Sequence, residues 1–315
     1  MTVTLETRRT VPEVETRVRR SISERLAPYA YIAPFFLLFA VFGLVPLLFT
    51  FYVALFDWNP IGEHVFIGFD NFTRLLGDAR FWNAAWNTIS IWLLSTVPQL
   101  LLALCVAHLL NHARLRLAVF LRMSMLVPYI TSVAATAIVF AQMFDRDYGL
   151  LNWLLGLFGV EPINFLQSVW GSHLMIAVMV TWRWFGYTTL LYLASLQAIP
   201  RSLYEAAAVD GAGSWKQFRH IALPSLRPVI VFTVVTSTIG GLQIFTEPLL
   251  VSRAAPLTCG PVRQCQTLTL FLYEQGFGQF QFGYGAAIGV ALFVLIVAIA
   301  TLNYVLSTRI RKERG

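Results

Sequence analysis

Charge is scarce in this chain. Asp, Glu, Lys and Arg together make up 12% of 315 residues, about half the fraction of an ordinary soluble domain. That shortage argues against a water-soluble enzyme. It does not make the chain disordered, because 57% of the residues are hydrophobic and disorder needs low hydrophobicity. Cysteine is scarcer still, and three residues cannot build a disulfide-rich scaffold. Only two of the 23 basic residues are lysine, and no GxxxxGKS/T phosphate loop occurs. An HExxH pair is also missing. His108, His112, His173 and His220 are dispersed without ligand spacing. The expectation is therefore a chain with no catalytic group, no metal site and no bound cofactor, which cannot hydrolyse ATP alone.

Long apolar runs are what the chain has in abundance. Six stretches reach the roughly 20 residues needed to cross a bilayer: Ala30–Val53, Thr88–Ala107, Met123–Phe144, Leu174–Ile199, Val229–Phe245 and Tyr284–Leu306. Only Arg183 interrupts the fourth. Buried helices of a soluble core seldom run so long without charge, so the reading is an all-α, polytopic membrane protein. The first run is too long for a signal peptide, and no small-residue cleavage site follows it.

The net charge of +7 could suggest nucleic acid, but the position of the charges says otherwise. Alternate connecting segments hold 17 Lys and Arg residues, and the opposite segments hold five: Arg74, Arg80, Arg146, Arg253 and Arg263. Positive charge stays on the cytoplasmic side, so both termini lie inside and the basic excess serves topology and anionic lipid. Segment 1–29 is then a cytoplasmic N-terminal stretch. Val14, Val18 and Ile22 recur there every four residues, as in an amphipathic surface helix; a disordered tail is the alternative. Residues 307–315 form a cytoplasmic tail.

Three outer segments run over 54–87, 145–173 and 252–283. Trp58, Trp82, Trp86, Trp153 and Trp170 fit the headgroup boundary or a docking surface for an extracytoplasmic partner. Cys259 and Cys265 share the third segment. That side is oxidising, so a local disulfide is allowed there, with two free thiols as the alternative. Cys105, inside the second run, reads as a small core residue.

The inner loop over 200–228 is the most informative segment. Ser202 and Glu205 have capping-box spacing, Ala206, Ala207 and Ala208 favour helix, and Asp210-Gly211 can end it. Ser214 and Gln217 form a second such pair. A short helix then carries Trp215, Phe218 and Ile221 on one side, and Pro224 is expected to stop it. Two short helices joined by a small-residue turn would suit a partner's groove; an ordinary connecting loop is the bland alternative.

Glu205-Ala206-Ala207, with Asp210-Gly211-Ala212, Phe218, Ile221, Leu223 and Pro224 at these spacings, resembles the EAA loop of permease subunits in binding-protein-dependent ABC importers. Other positions resemble the sugar-importing branch: Ala33-Pro34 and Pro46, then Gly68, Asn71-Phe72, Phe81-Trp82 and Asn87-Thr88. Thr258-Cys259-Gly260-Pro261, Thr267-Leu268, Tyr273 and Phe277 continue the likeness, although Cys259 stands where the family usually has Gly. The resemblance covers nearly everything from about residue 30 onward. It implies a type I importer permease domain over 30–306 in a bacterial cell membrane, paired with a second homologous permease and served by an extracytoplasmic sugar-binding protein. The EAA loop would dock in a cytoplasmic ATPase dimer that binds the ATP and Mg. Glu205 and Asp210 would make polar contacts there, and Ala206, Ala207, Gly211 and Ala212 would allow close approach.

For the substrate path, the intramembrane charges Arg183 and Glu247 need a partner or a watery cavity. Trp182, Tyr187, Gln243 and Phe245 are further candidates, because sugars are held by aromatic faces and by amide or hydroxyl groups; helix packing is the plainer reading of the aromatics. Trp184 and Tyr192 belong to the same aromatic group. Asn303 and Tyr304 lie too near the inner end of the sixth run. The aromatic spans and the lack of a basic cluster favour a neutral di- or oligosaccharide. The run Gln266-Thr267-Leu268 with Leu272 to Gln275 leans toward β-glucosides such as cellobiose, and maltose, trehalose, lactose or glycerol phosphate are other substrates of the branch. A self-contained secondary transporter would instead predict repeated halves, and none is evident.

Overall fold

The structure is a computed structural model that describes residues 22–60, 62–112, 118–252 and 255–312. Val14 and Val18 of the expected amphipathic surface helix, and the end of the C-terminal tail, lie outside the described residues. The chain divides into two compact units, 1–49 and 50–315. In the first, α1 (Ile22–Phe39) runs into a π turn at Ala40–Leu44. Phe35 meets Phe36 edge to face at 5.4 Å and stacks on Phe39 at 6.5 Å. Apolar side chains stand on all sides of this helix, as a lipid-facing helix requires. Helix α2 (Val45–Val53) continues the run.

The second unit opens with a small hairpin, β1 (Phe56–Trp58) and β2 (His64–Phe66), antiparallel with Phe56 opposite Phe66. It is the only sheet among the described residues of an otherwise helical chain. Helix α3 (Asp70–Gly77) leads into α4 (Ala79–His112). Then come α5 (Ala118–Ile130), α6 (Val133–Met143), α7 (Leu150–Gly156) and α8 (Val169–Gln197). The connecting helices α9 (Arg201–Val209) and α10 (Ser214–Gln217) precede α11 (Leu223–Leu242). Short α12 (Thr246–Val251) and α13 (Leu268–Tyr273) precede the long α14 (Phe282–Lys312).

Five helices are long and apolar enough to cross a membrane, and the third apolar run is a sixth only as a broken pair. Met123–Phe144 is not one straight helix: α5 and α6 meet at a 93° bend. Pro128 removes a backbone donor from α5, and Ser132 takes an extended ψ of 128°. The fifth run also departs from expectation. Pro224 does not stop a helix, because α10, a π turn at Phe218–Ala222 and α11 follow without a break. Leu223 N–H reaches back to the Phe218 carbonyl across the wider turn, and Pro224 follows directly after that turn, within the continuous helix. The helix ends at Leu242, so Gln243 and Phe245 lie beyond it.

Lipid gives helices no hydrophobic reason to associate, so close packing and polar links must hold them. Helices α4 and α8 have both. Gln99 Nε2 donates to Thr188 Oγ1 at 2.9 Å, and Thr181 Oγ1 donates to the Ser95 carbonyl at 3.1 Å. On α11, a Cβ at Gly241 would lie 2.6 Å from Cδ1 of Trp92 on α4. Cys105 is not a core residue: it faces outward from α4.

Candidate functional site

The inner loop presents a helix, α9, most of whose side chains are exposed. No residue of α9 is buried, and the carboxylates of Glu205 and Asp210 have no hydrogen bond or ion pair among the described residues. Ser202 is not the N-cap; Pro200 is, and no side chain caps the helix. The helix therefore starts two residues earlier than the expected capping box would place it, which leaves the Glu205 carboxylate without a capping role. Its other end is tightly built. Gly211 takes φ +74°, and the N–H groups of Gly211 and Ala212 reach the carbonyls of Ala208 and Ala207 at 3.1 and 2.8 Å. That is a Schellman ending, and it requires the left-handed conformation that glycine adopts at no steric cost. The second capping box also fails to form: Gly213 is the N-cap of α10, and Gln217 Nε2 donates to the Ala212 carbonyl at 2.9 Å. Phe218 packs on His108 of α4 at 4.5 Å and stacks on Trp215 at 5.6 Å. Around this frame Leu203, Val209 and Trp215 are 50%, 88% and 70% exposed. Three large apolar side chains beside free carboxylates make a surface suited to another protein.

A cleft lies between four helices. A cavity of about 130 Å³ is lined by Tyr129 of α5, Trp184, Tyr187 and Thr188 of α8, and Thr236 and Ser237 of α11. A smaller one of about 30 Å³ adjoins it, sharing Trp184, Thr236 and Ser237 and adding Gln99 and Ile244. Tyr129 stacks on Tyr187 at 4.9 Å and meets Trp184 at 5.3 Å. No charged side chain lines either cavity. Ring faces beside hydroxyls and one amide can hold a neutral solute with both CH patches and hydroxyls.

Only part of the expected substrate path converges here. Tyr187 does. Trp182 does not: five residues earlier on α8, it stands about 140° away around the helix. It packs on Phe140 at 5.6 Å and lines an apolar groove with Val139 and Val178. Arg183 and Glu247 face each other instead, both buried, with Nη1 to Oε1 at 3.4 Å. Gln243 is exposed at the end of α11, and Phe245 packs on Tyr273 at 5.1 Å. Tyr192 is a packing residue whose hydroxyl pairs with Thr233 at 2.7 Å. Sequence reasoning overlooked Gln99, Tyr129, Thr188, Thr236 and Ser237. The run Thr236-Ser237-Thr238, followed by Gly240-Gly241 in an apolar helix, was the available signal.

Residues 75–312 match the family described as the binding-protein-dependent transport system inner membrane component. The chain belongs to that family. It is 36% identical over 279 residues to the lactose transport system permease protein LacF of Rhizobium radiobacter, covering 88% of this chain and 91% of that protein. It is 33% identical to the arabinooligosaccharides transport system permease protein AraP of Bacillus subtilis, over 92% and 91%. The trehalose/maltose transport system permease protein MalF of Thermococcus litoralis is 32% identical, over 90% and 94%. A crystal structure of a bacterial alginate ABC transporter with a pentasaccharide-bound periplasmic protein shares the fold at a TM-score of 0.77 and 21% identity, over 92% of this chain and 98% of that one. The protein is thus a multi-pass permease of the plasma membrane.

In this permease the 252–283 segment is fastened from several sides. Cys259 and Cys265 are bonded, with Cα atoms 5.2 Å apart. Asn83 and Asn87 of α4 each donate to the Arg263 carbonyl at 2.9 Å. His173, fully buried on α8, faces the Gln264 carbonyl through Nε2 at 2.8 Å, so that nitrogen carries the proton and Nδ1 accepts from Ser90. Arg263 makes a two-pronged bond to Glu274 at 2.5 and 2.8 Å. Burial pushes the Glu274 carboxyl up, but the bonds from Arg263 and Gln266 outweigh it and hold it below its ordinary range. At Asp78 burial is likewise outweighed, by bonds from Arg80 and Tyr284, which hold it at about 2. Both folded values lie below the unfolded ones of about 4. Their stabilisation is therefore complete above that pH and lost as pH falls through the depressed values. The thermal midpoint of the purified permease is expected to fall between about pH 4 and pH 2, and Asp78→Asn with Glu274→Gln should flatten that slope. An unchanged slope in the double variant would count against this assignment. Of the tryptophans read as boundary residues, Trp82, Trp86, Trp153 and Trp170 are exposed, while Trp58 is half-buried against His64 at 3.7 Å.

Proposed function

We propose that this permease is the channel-forming subunit of an ATP-driven importer for a neutral di- or oligosaccharide. The observation that carries the substrate class is the uncharged cleft of Tyr129, Trp184, Tyr187, Thr236 and Ser237. A pyranose offers apolar CH patches and hydroxyls together, which ring faces and hydroxyl or amide groups match. The names of several relatives, among them lactose, arabinooligosaccharide and trehalose/maltose systems, support a saccharide, and the neutral charge rests on the cleft. An anionic solute such as a glycerol phosphate finds no free cation there, since Arg183 is turned to Glu247.

Energy comes from outside the chain in this reading. A cytoplasmic ATPase dimer binds ATP and Mg, and its closure pushes on α9. Glu205 and Asp210 bond to it, the exposed Val209 and Leu203 pack on it, and Ala206, Ala207 and Ala212 let its backbone come close. The Schellman ending at Gly211 makes α9 rigid enough to transmit the push to α8 and α11, which wall the cleft. A second permease completes the path, and a sugar-binding protein delivers to it from outside. Access then alternates by rocking of packed helices.

The test is assembly and coupling. Expressed with its genetic neighbours, the permease should co-purify with an ATPase, and a panel of lactose, maltose, trehalose and cellobiose should reveal the sugar that stimulates ATP-driven uptake. Glu205→Ala with Gly211→Pro should cut that uptake at least about tenfold while membrane insertion persists, because proline is fixed near φ −65° and cannot take the position of Gly211. Failure to recover any ATPase, or uptake retained in the variant, would sink the coupling role.

A further inference from the structure

A second aromatic array runs from Phe245, just after α11, into the 252–283 segment. The rings of Phe245, Tyr273, Phe277 and Phe282 follow one another at centroid distances of 5.1, 5.2 and 5.5 Å. The middle pair is stacked, 26° from parallel. Thr269, Tyr273 and Phe277 recur every four residues along α13 and the π turn at Glu274–Gly278, so they share one face. The other face is already used: Leu268, Leu270 and Phe271 are buried. Tyr273 and Phe277 remain 39% and 54% exposed, so their rings are open on one side.

The array begins at the cleft wall. Ile244 lines the smaller cavity, and Phe245 is the next residue. The Ile244 carbonyl accepts from the hydroxyls of Thr267 and Thr269 at 3.0 and 2.8 Å, which fixes the start of α13 to the break after α11. The far end is also held. The N–H groups of Gln279 and Gln281 bond to the carbonyls of Glu274 and Gln275 at 2.8 and 2.9 Å, keeping the exposed Phe280 at φ +57°. A bulky residue held in that region marks a shape fixed by its surroundings. Exposed amides, Gln243 and Gln279, stand at the two ends. Polar side chains are costly in hydrocarbon, so these two amides favour a watery surrounding for this face over lipid. Open ring faces flanked by amides match the CH patches and hydroxyls of a pyranose.

We infer that the Phe245–Tyr273–Phe277–Phe282 array is a sugar-stacking platform at the outer mouth of the path, receiving a pyranose ring before it reaches the Tyr129–Trp184–Tyr187 cleft. It rests on the sugar-importer reading above. Its function is hand-over: a sugar ring slides from one ring face to the next instead of returning to water.

The experiment uses the whole complex with its binding protein, loaded with whichever of lactose, maltose, trehalose or cellobiose the wild type imports. Sugar moved per ATP hydrolysed is read in proteoliposomes. Tyr273→Leu with Phe277→Leu should lower that ratio about tenfold, the effect of roughly one lost ring contact at each step. ATP hydrolysis stimulated by the loaded binding protein should persist, and Phe277→Trp should keep the ratio. An unchanged ratio in the Leu variant, as for rings that face lipid, would overturn the platform. So would a parallel fall of uptake and hydrolysis with loss of the assembled complex, which marks packing against the second permease. A wild-type complex that imports none of the four sugars would overturn the sugar reading and the platform with it, and that failure shows in the wild type alone.

Discussion

Arg183→Met alone is expected to prevent accumulation of folded permease, and Arg183→Met with Glu247→Leu is expected to restore it. The two side chains are buried and meet through one contact of 3.4 Å. That is long for a charge-assisted bond, which usually closes to about 2.7–2.9 Å. Arg183 Nε has no acceptor at all. The pair therefore returns little of what it cost to take two charges out of water. Removing one partner is a different matter, because it strands a carboxylate between α8 and α12, at about 3–5 kcal/mol. Replacing both with apolar groups of similar size removes the penalty and the pair together, a change often neutral or stabilising by about 1–4 kcal/mol. Size-exclusion profiles and thermal midpoints of the detergent-solubilised protein give the readout. A single variant as stable as wild type, or a double variant no better than the single, would show that the pair does not behave as a buried ion pair.

How much of this could be read from sequence depends on what kind of signal each feature leaves. The apolar runs are local and were legible: every one of them corresponds to a helix or a broken pair of helices. Helix ends were less so. Ser202 and Ser214 have cap spacing, yet Pro200 and Gly213 precede them and start the helices earlier. The bend after Ile130 carries only Pro128 as a sign, and proline is common inside membrane helices. The facing of side chains was the least legible. In lipid the outside of a helix is as apolar as its inside, so composition could not say that Cys105 faces outward while Ala103 and Ala107 are buried. The same ambiguity put Trp182 with Tyr187. The cleft itself draws on α4, α5, α8 and α11, a meeting that no local pattern records. The α9 loop was legible because its small residues and turn glycine are contiguous.

The α5–α8 contact yields the other large expected effect. A Cβ placed on Gly186 would lie 2.0 Å from the Met125 carbonyl oxygen and 2.8 Å from its carbon. Both atoms are backbone, so no rotamer change relieves the clash, and the two helices must separate. Overpacking against side chains usually costs about 1–3 kcal/mol; here Gly186→Ala should reach the upper end of that range and Gly186→Leu should exceed it. The consequence is functional as well as structural. Tyr187 is the next residue on α8, and Tyr129 lies one turn beyond Met125 on α5. Separation of the helices pulls apart the Tyr129–Tyr187 stack, now at 4.9 Å, and with it one wall of the cleft. Gly77→Ala is the matched control, since a Cβ there meets nothing within 4 Å. We expect Gly77→Ala to keep the wild-type thermal midpoint and uptake. Gly186→Ala should lower both, and Gly186→Leu should leave no measurable uptake. If Gly186→Leu behaved like Gly77→Ala, α5 and α8 could not be packed backbone to backbone at this point, and the cleft could not have the walls described.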